Sequence, residues 1–348
     1  MRICDQTSGS GAATIGNSLL IKVALLAVLT VSFSATAASQ NRYITFDVPG
    51  AIGTYPTSIN QSGQIAGQWW DSGTGHSFLR NTDGSIVPFD PSGAYWSTAT
   101  SINRSGQITG YFTDLLGYHG YYRDTSGSIT TFEASASEYN LVSSAINDDG
   151  SIVGYYGEGT LQHGFLRDPN GVITTFDPPN AVNTYAQCIN RSGYVSGSYS
   201  DSRLFLHGFI RDPAGNFTIV NVPGAGGSGT QSGCFNDEKQ MAGEYSDELH
   251  VMHGYLRSPK GIFTAFSVPF VHNTKATMVS DNGQIVGTAS SLSASVGFVR
   301  QASGAISVFT VPGADLADTL AVGINQSGTV TGLYFVDFSG PHGFIRSN

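Results

Sequence analysis

The sequence predicts an all-β protein built as a seven-bladed β-propeller of four-stranded blades, and three observations support this. A nine-residue phrase, first found at 59–67, recurs seven times at intervals of 43 to 46 residues. Each copy contains four short runs rich in Ile, Val, Thr, Phe and Tyr, bounded by Gly, Asn, Asp and Pro, as strands are. Seven copies of four strands each correspond to seven four-stranded blades, which is within the usual range for a propeller.

The third copy illustrates the predicted elements. Its strands are expected at 142–147, 151–156, 164–167 and 172–176. The first two are joined by Asn147-Asp148-Asp149-Gly150, in which Gly supplies a positive φ at little cost. No segment has a helical period longer than a turn or two, so the pattern excludes a helical repeat.

The two ends of the chain complement each other. The last copy stops at Asn348 without its fourth strand, and the segment 43–49 has the sequence of that missing strand. We therefore expect the N-terminal strand to pair with 343–346, complete the last blade and close the ring, which hides the sheet edges. An open solenoid is the alternative, and it would need capping repeats instead.

The first 37 residues differ from the rest. Arg2 and Lys22 precede an apolar run at 23–33, and Ala35-Thr36-Ala37 follows. This order is typical of a secretory signal peptide cleaved after Ala37. The run is much shorter than the ~20 residues of a membrane anchor. The sequence thus predicts a single propeller domain at 38–348, secreted or periplasmic, with no integral membrane segment after cleavage.

Composition narrows the possible partners. With 16 Lys+Arg and a net charge of −9, the chain lacks the basic surface that tracks phosphates, so we expect no nucleic acid. We expect a monomer with no cofactor and no metal. Cys188 and Cys234 occupy one position in adjacent copies. We expect two buried thiols there rather than a disulfide, which would require Cα atoms within ~7 Å.

Repeated polar residues are interpreted as parts of the scaffold, because one active site does not need six copies. The histidines are His76, His119, His163, His207, His253 and His342. The carboxylates that precede them by five or six residues are Asp71, Asp114, Glu158, Asp201, Asp247 and Asp337. The sixth copy has Ser291 and Val296 instead, so both partners are lost together, which indicates a carboxylate–imidazole hydrogen bond across a hairpin.

One arginine also recurs in every copy. These are Arg80, Arg123, Arg167, Arg211, Arg257, Arg300 and Arg346. We expect each to be ion-paired or stacked between blades with its apolar stem buried. Several come close in sequence to an acid on the next strand, such as Asp90, Glu133 or Asp177.

The repeated phrases resemble the HAF-type extracellular repeat, a family of secreted bacterial proteins named for a His-Ala-Phe tripeptide. Here the tripeptide is mostly His-Gly-Phe, as at 163–165, and the resemblance covers the chain after residue 37. It implies an extracytoplasmic, propeller-like protein. It implies no reaction and no catalytic residue.

Function is expected where the copies differ, on the face formed by the connections between second and third strands and between blades. The first two copies carry an aromatic cluster there, with nearby carboxylates. Its members are Tyr55, Trp69, Trp70, Tyr95, Trp96 and Tyr118, beside Asp71 and Asp114. Aromatic rings beside acceptors suit a sugar, and packing between blades is the alternative.

A second candidate lies in the fifth and sixth copies. His250 and His272 are the histidines outside the repeated position, and Tyr245 and Lys275 are near them in sequence. Such groups could serve acid–base chemistry in a polysaccharide lyase or glycosidase.

We favour a non-enzymatic propeller that binds an extracellular carbohydrate or a protein partner. A carbohydrate-active enzyme and a structural envelope or matrix protein are the alternatives.

Overall fold

Seven four-stranded antiparallel sheets make up the chain in this computed structural model, which describes residues 42–134, 140–292, 294–314, 318–336 and 340–347. The segment 1–37, predicted as a signal peptide, lies outside these ranges. Each sheet forms one blade of a ring, and successive strands of a blade lie progressively further from the axis. The predicted fold class is confirmed.

Strand bounds repeat closely from blade to blade. The first, innermost strands are β2 (Gly53–Ile59), β6 (Trp96–Ile102), β10 (Leu141–Ile146), β14 (Asn183–Ile189), β18 (Thr230–Gln231), β22 (Asn273–Val279) and β26 (Thr319–Ile324). The second strands are β3 (Ile65–Trp70), β7 (Ile108–Thr113), β11 (Ile152–Glu158), β15 (Val195–Ser200), β19 (Met241–Ser246), β23 (Ile285–Ser290) and β27 (Val330–Phe335). The third strands are β4 (Gly75–Arg80), β8 (Tyr118–Arg123), β12 (Leu161–Arg167), β16 (Leu206–Arg211), β20 (Met252–Arg257), β24 (Ser295–Arg300) and β28 (Pro341–Ser347). The outer strands are β5 (Ile86–Phe89), β9 (Ile129–Phe132), β13 (Ile173–Phe176), β17 (Phe217–Val220), β21 (Phe263–Phe266), β25 (Ile306–Phe309) and β1 (Arg42–Phe46).

The turn between the first two strands explains its repeated asparagine. In blade 1, the backbone N–H of Gly63 donates to the Asn60 carbonyl at 3.1 Å, and Gly63 has φ of 90°. The Asn60 Oδ1 accepts from the backbone N–H of Gln64 at 2.9 Å, as expected for an Asn that stabilises its own turn. Its Nδ2 donates to the carbonyl of Asn103 in the next blade at 3.1 Å. The same residue therefore fixes the turn and links two blades.

This link recurs around the axis. The Nδ2 atoms of Asn103, Asn147, Asn190, Asn236 and Asn325 each donate to the equivalent carbonyl of the following blade at 2.9–3.4 Å. Ser280 stands at this position in blade 6, and its shorter hydroxyl bonds the Gln284 carbonyl of its own turn instead. Buried amide groups thus form a belt around the channel, interrupted at blade 6.

A bulge interrupts the ladder between the first and second strands of six blades. In blade 3 the register shifts between Ser143 and Ala145, which leaves Ser144 without a residue opposite it on β11. Gly154 lies beside this bulge, where a side chain would overlap the Val142 carbonyl and stand 2.8 Å from the Phe165 ring. Bulges re-aim side chains next to functional regions, and here the bulge residues line the channel.

Six of the seven joints between neighbouring blades are made through an aromatic ring at the end of the outer strand. Phe132, the last residue of β9, packs edge-on against Phe165 of the next blade with centroids 6.1 Å apart. The Arg167 guanidinium of that next blade lies 5.0 Å from the same ring, a cation–π distance. Phe165 is completely buried. The outer ring is therefore held on two sides by the following blade.

The repeated arginines are stacked rather than paired with the acids named above. Arg80, Arg123, Arg211, Arg300 and Arg346 cover Phe46, Phe89, Phe176, Phe266 and Phe309 at 4.7–5.0 Å. The suggestion that Asp90, Glu133 and Asp177 serve these arginines is wrong. Those carboxylates lie at the opposite end of the outer strand, where they bind histidines instead.

Blade 7 combines the two ends of the described chain. β1 pairs antiparallel with β28, with Ile44 opposite Ile345 and Phe46 opposite Gly343. Phe46 then packs against Phe78 of blade 1 at 6.3 Å. The N-terminal strand thus supplies blade 7 with the same outer ring that the other blades use.

The joint between blades 4 and 5 is built differently. Val220 replaces the outer phenylalanine, so Arg257 covers no ring among the described residues. The first strand of blade 5, β18, has only two residues. Cys188 and Cys234 form a disulfide across this joint, with Cα atoms 5.3 Å apart. The expectation of two free thiols is wrong, because equivalent positions on adjacent inner strands are close enough to bridge.

Replacing the outer ring tests the joint between ordinary blades. We expect Phe132→Ala to lower the free energy of unfolding by about 2–4 kcal/mol, because a buried packing contact and a cation–π contact are both lost. Phe132→Val reproduces the residue found at Val220 and should cost clearly less. Urea unfolding followed by fluorescence measures both, and equal losses would contradict this account of the joint.

Removing the disulfide tests the joint between blades 4 and 5. The bond spans 46 residues, and we expect Cys188→Ala with Cys234→Ala to lower the free energy of unfolding by about 2–4 kcal/mol. Reduction of the unmodified protein should lower its free energy of unfolding by the same amount and so lower its urea midpoint. An unchanged midpoint in both experiments would show that the bond contributes nothing to stability.

Candidate functional site

The propeller has two faces of different character. One, here called the loop face, carries the connections between second and third strands and those between blades. The other, the turn face, carries the short turns between first and second strands and between third and fourth strands. The first inner-strand residues, such as Trp96, lie towards the loop face, and the last, such as Ile102, lie towards the turn face.

The central channel widens into a cavity of about 330 Å³ at the turn face. Its wall includes the bulge residues Thr57, Thr100, Ser144, Gln187 and Thr277, together with the asparagine belt and the disulfide. Sequence reasoning placed function on the opposite face, since the turns repeat and the loops vary. The residue after each turn asparagine does vary, and this signal was overlooked.

The repeated histidines lie on the outer part of the loop face, and each contacts a side chain through Nδ1. The predicted partner Glu158 makes no contact with His163 among the described residues, and Asp337, predicted for His342, lies outside those residues. The predicted carboxylates contact Nε2 in four blades, in the pairs His76–Asp71, His119–Asp114, His207–Asp201 and His253–Asp247, at 2.8–3.5 Å. The residue fourteen positions later contacts Nδ1, and sequence reasoning missed it. These second partners are Asp90, Glu133, Asp177, Asn221 and Ser267, with Asp47 of β1 for His342.

Each histidine also lies on an aromatic ring of the second strand. Trp69 stacks on His76 at 4.7 Å, and Tyr245 lies 5.2 Å from His253. Blade 6 has Ala289 at this position, so it lacks the ring as well as the histidine and the acid. Trp69, the predicted binding residue, and Tyr245, the predicted catalytic residue, therefore belong to this repeated packing arrangement.

The two carboxylates of the predicted sugar site cap their own loops. Asp71 Oδ1 accepts from the backbone N–H groups of Gly73 and Thr74, both at 2.7 Å. Asp114 Oδ1 accepts from that of Leu116 at 2.7 Å. These bonds lower the pKa of both carboxyls, as expected when backbone donors stabilise the charged form.

The remaining aromatic candidates fall into two groups. Trp96 and Tyr118 join a longer set of rings on the loop face that extends beyond the first two copies. Tyr95 is exposed on the connection before β6, while Tyr55 and Trp70 are partly buried on β2 and β3. The structure thus divides the predicted cluster of six.

The longer set, called the aromatic row, consists of Trp96, Tyr111, Tyr118, Tyr155 and Tyr185. Trp96 and Tyr118 lie 5.4 and 6.1 Å from Tyr111, and Tyr155 packs edge-on against Tyr185 at 5.1 Å. Burial, and then the neighbouring hydroxyls of Tyr155 and Tyr118, raise the pKa of Tyr111. The row therefore crosses blades 2 to 4 on the loop-face side of the channel.

The four catalytic candidates engage different neighbours. His250, at φ 61°, lies over Gly227, and Tyr245 lies against His253. The Lys275 Nζ is 3.8 Å from Glu244, a carboxylate whose pKa is raised by burial. His272 is exposed, with its backbone N–H bound to Ser290. No contact among the described residues joins any two of the four side chains.

Two further observations concern the described residues alone. No group of three or more His, Cys, Asp or Glu side chains among them converges to hold a metal ion. Within the same ranges, no helix has the length and apolar character needed to cross a membrane.

The pairing of His119 with two carboxylates predicts a pH response. Burial of the imidazole opposes its charged form, but the bonds to Glu133 and Asp114 outweigh burial and raise the pKa of His119. The charged His119 should therefore stabilise the folded protein fully below about pH 6.5, the ordinary pKa of a histidine. This stabilisation should be lost as the pH rises through the raised pKa of the folded state. An NMR titration should therefore show His119 with a midpoint above 6.5. Glu133→Gln should lower that midpoint and Asp177→Asn should not; a midpoint at or below 6.5 in the unmodified protein would contradict the pairing.

Comparisons with known proteins identify the architecture. No protein-family model matches the sequence, and no curated protein matches it either. Among solved structures, the chain is similar to the propeller domain of the Trilobed protease from Pyrococcus furiosus (TM-score 0.63, 12% identity, covering 85% of this chain and 94% of that one). It is also similar to a streptogramin B lyase, with a TM-score of 0.59 and 13% identity over 88% of this chain and 98% of that one. A catalytically inactive virginiamycin B lyase from Staphylococcus aureus gives a TM-score of 0.58 and 12% identity over 88% of this chain and 99% of that one. At these identities the likeness shows a shared β-propeller fold alone.

Proposed function

We propose that this chain is an exported, non-enzymatic propeller that binds an extracellular carbohydrate on the aromatic row of its loop face. The signal-peptide pattern at 1–37 and the resemblance to HAF-type extracellular repeats support export. The Cys188–Cys234 disulfide supports an oxidising compartment, where such bonds persist.

The observation that carries the proposal is the aromatic row, which consists of two groups of contacting rings, Trp96–Tyr111–Tyr118 and Tyr155–Tyr185. Its rings are partly exposed, with Tyr118 42% exposed. The aromatic residues at the centre of the scaffold, such as Phe165, are by contrast completely buried. Flat rings present an apolar surface to the C–H face of a sugar, and their polar tips can bind its hydroxyls.

The polar atoms of the row are available for such binding. Among the described residues, the hydroxyls of Tyr111, Tyr118, Tyr155 and Tyr185 and the Trp96 Nε1 have no hydrogen-bond partner. Other tyrosines are used differently: the buried Tyr121 hydroxyl bonds Ser77 of the preceding blade at 2.9 Å. A row of unpartnered tips over a span of three blades fits an oligosaccharide better than a single small group.

The contacts do not favour the enzymatic alternative. His250, His272, Tyr245 and Lys275 are held in four different environments, so no pair has the mutual geometry that acid–base chemistry requires. We therefore put forward no reaction for blades 5 and 6.

A glycan array followed by calorimetry with a retained oligosaccharide tests the proposal. We expect Trp96→Ala and Tyr118→Ala each to weaken binding by roughly tenfold, because each removes one stacking surface. Phe270→Ala is the matched control, since Phe270 is an exposed aromatic on the loop face outside the row.

Three outcomes would count against the proposal. Retention of no oligosaccharide would favour a protein partner or a structural role. Equal losses with Phe270→Ala would remove the row as the site. New unsaturated or reducing ends after incubation with polysaccharides would show a carbohydrate-active enzyme instead.

A further inference from the structure

The charged side chains of this protein are divided unequally between its two faces. Of the 14 Lys and Arg residues in the described ranges, all but Arg203 and Lys275 lie on the turn face or at its end of the strands. The connections of the loop face carry eleven described carboxylates. These are the nine described acids that were predicted or found as partners of the repeated histidines, together with Glu248 and Asp318. Negative charge is therefore concentrated on the face that carries the aromatic row.

The two basic exceptions offset little of this charge. Lys275 lies on β22, where its Nζ is 3.8 Å from Glu244, a carboxylate whose side chain is 13% exposed. Arg203 lies in a loop of blade 4, and its backbone N–H donates to Asp201 at 2.8 Å. The loop face thus has a net negative charge at neutral pH. Such a field attracts cationic molecules and repels anionic ones.

Two of these carboxylates cap loops that border the aromatic row. Asp71 caps the loop that ends at Gly75, where an added side chain would stand 2.5 Å from the Trp96 Nε1. Asp114 caps the loop that leads into Tyr118. Both carboxylates accept hydrogen bonds from backbone N–H groups, which favour the charged form of a carboxyl. The caps therefore keep negative charge beside the row.

A third carboxylate, Glu158, departs from the repeat. The equivalent aspartates of four other blades each bind a histidine, whereas Glu158 ends β11 with no hydrogen bond or ion pair among the described residues. Asn140 connects it to the row, since this residue forms a bridge with Tyr118 and accepts a hydrogen bond from the backbone N–H of Gly157 at 2.9 Å. The Glu158 side chain is exposed. It is therefore available to a cation bound beside Tyr118.

The rings of the row add an attraction of their own for cations. An aromatic face carries negative potential, so an ammonium group placed over it is stabilised. This protein uses that contact on its turn face, where the Lys239 Nζ lies 4.2 Å from the centroid of the Tyr194 ring. Within the described ranges, no Lys or Arg side chain covers a ring of the row. These faces remain open to a cationic ligand.

We propose that the oligosaccharide bound on the aromatic row is cationic and carries ammonium groups on its sugars, as a polymer of amino sugars does. Its sugar rings stack on the row, and its ammonium groups lie near Asp71, Asp114 and Glu158. This inference rests on the proposed function and narrows it, because it specifies the charge of the ligand. The same field disfavours an acidic polysaccharide such as a polyuronate.

Calorimetry with three hexasaccharides tests the charge of the ligand. The probes are hexamers of N,N,N-trimethylglucosamine, N-acetylglucosamine and galacturonate, which are positive, neutral and negative at every pH used. At about pH 8, well above the ordinary pKa of histidine, imidazoles add little charge to the loop face. We expect the cationic hexamer to bind at least about tenfold more tightly than the neutral one, and the anionic hexamer to bind more weakly than both. Raising the ionic strength from about 0.01 M to about 0.15 M should remove most of this advantage, since the Debye length falls from about 30 Å to about 8 Å.

Matched variants locate the cation on the protein. Glu158→Gln removes the carboxylate without a partner and should weaken binding of the cationic hexamer by roughly two- to fivefold, with no effect on the neutral one. Glu238→Gln makes the same change at an exposed position of the turn face and should alter neither affinity. Trp96→Ala should weaken binding of both hexamers, because it removes a stacking surface that they share.

The outcomes separate this inference from the function on which it rests. If the neutral hexamer binds through Trp96 and the cationic one binds no more tightly, the row is a carbohydrate site and the proposed charge is wrong. If neither hexamer binds, the inference fails, and the glycan array decides the proposed function independently. The inference is also overturned if Trp96→Ala leaves the cationic affinity unchanged, if hexalysine binds as tightly, or if Glu158→Gln and Glu238→Gln have equal effects.

Discussion

The ring depends on the aromatic side chain at the end of each outer strand. In six blades this aromatic side chain packs against an aromatic ring of the next blade, as Phe132 does against Phe165, and in blade 3 the Arg167 guanidinium also lies over it. Because this contact is directional, each blade sets the angle of its neighbour, and six such contacts establish a circular arrangement. Where Val220 replaces the ring, a covalent bond on the inner strands takes over the linkage between the two blades.

Much of this architecture could be predicted because the sequence repeats it. The third copy's strands were expected to within three residues of their observed ends, since Gly and Asn turns punctuate the pattern so regularly. What could not be predicted was which neighbour each repeated side chain would meet. Arg167 is ten residues from Asp177 in sequence and 35 residues from Phe132, and only the radial geometry shows that it covers Phe132. The disulfide was misjudged for the same reason, because the distance between inner strands is set by channel diameter.

The candidate sites show where repetition helps and where it misleads. Joint loss of histidine and acid in blade 6 correctly indicated a shared structural role, and Ala289 extends that loss to a third residue. Aromatic residues could not be sorted from sequence, because strand alternation alone does not distinguish Trp69, which stacks on a histidine, from Tyr111, which faces its aromatic neighbours across the row. The turns that border the channel could not be recognised as a variable surface, because four of the seven share the pattern Asn-x-Ser-Gly.

The disulfide has a consequence for how the ring comes apart. It encloses β15, β16, β17 and β18 and lies about halfway along the chain from the seam where β1 meets β28. If that seam separates, blades can peel away from either terminus, yet blades 4 and 5 stay tethered. Blades 4 and 5 would then be the last part of the ring to unfold. The same pair would be the nucleus from which the ring refolds.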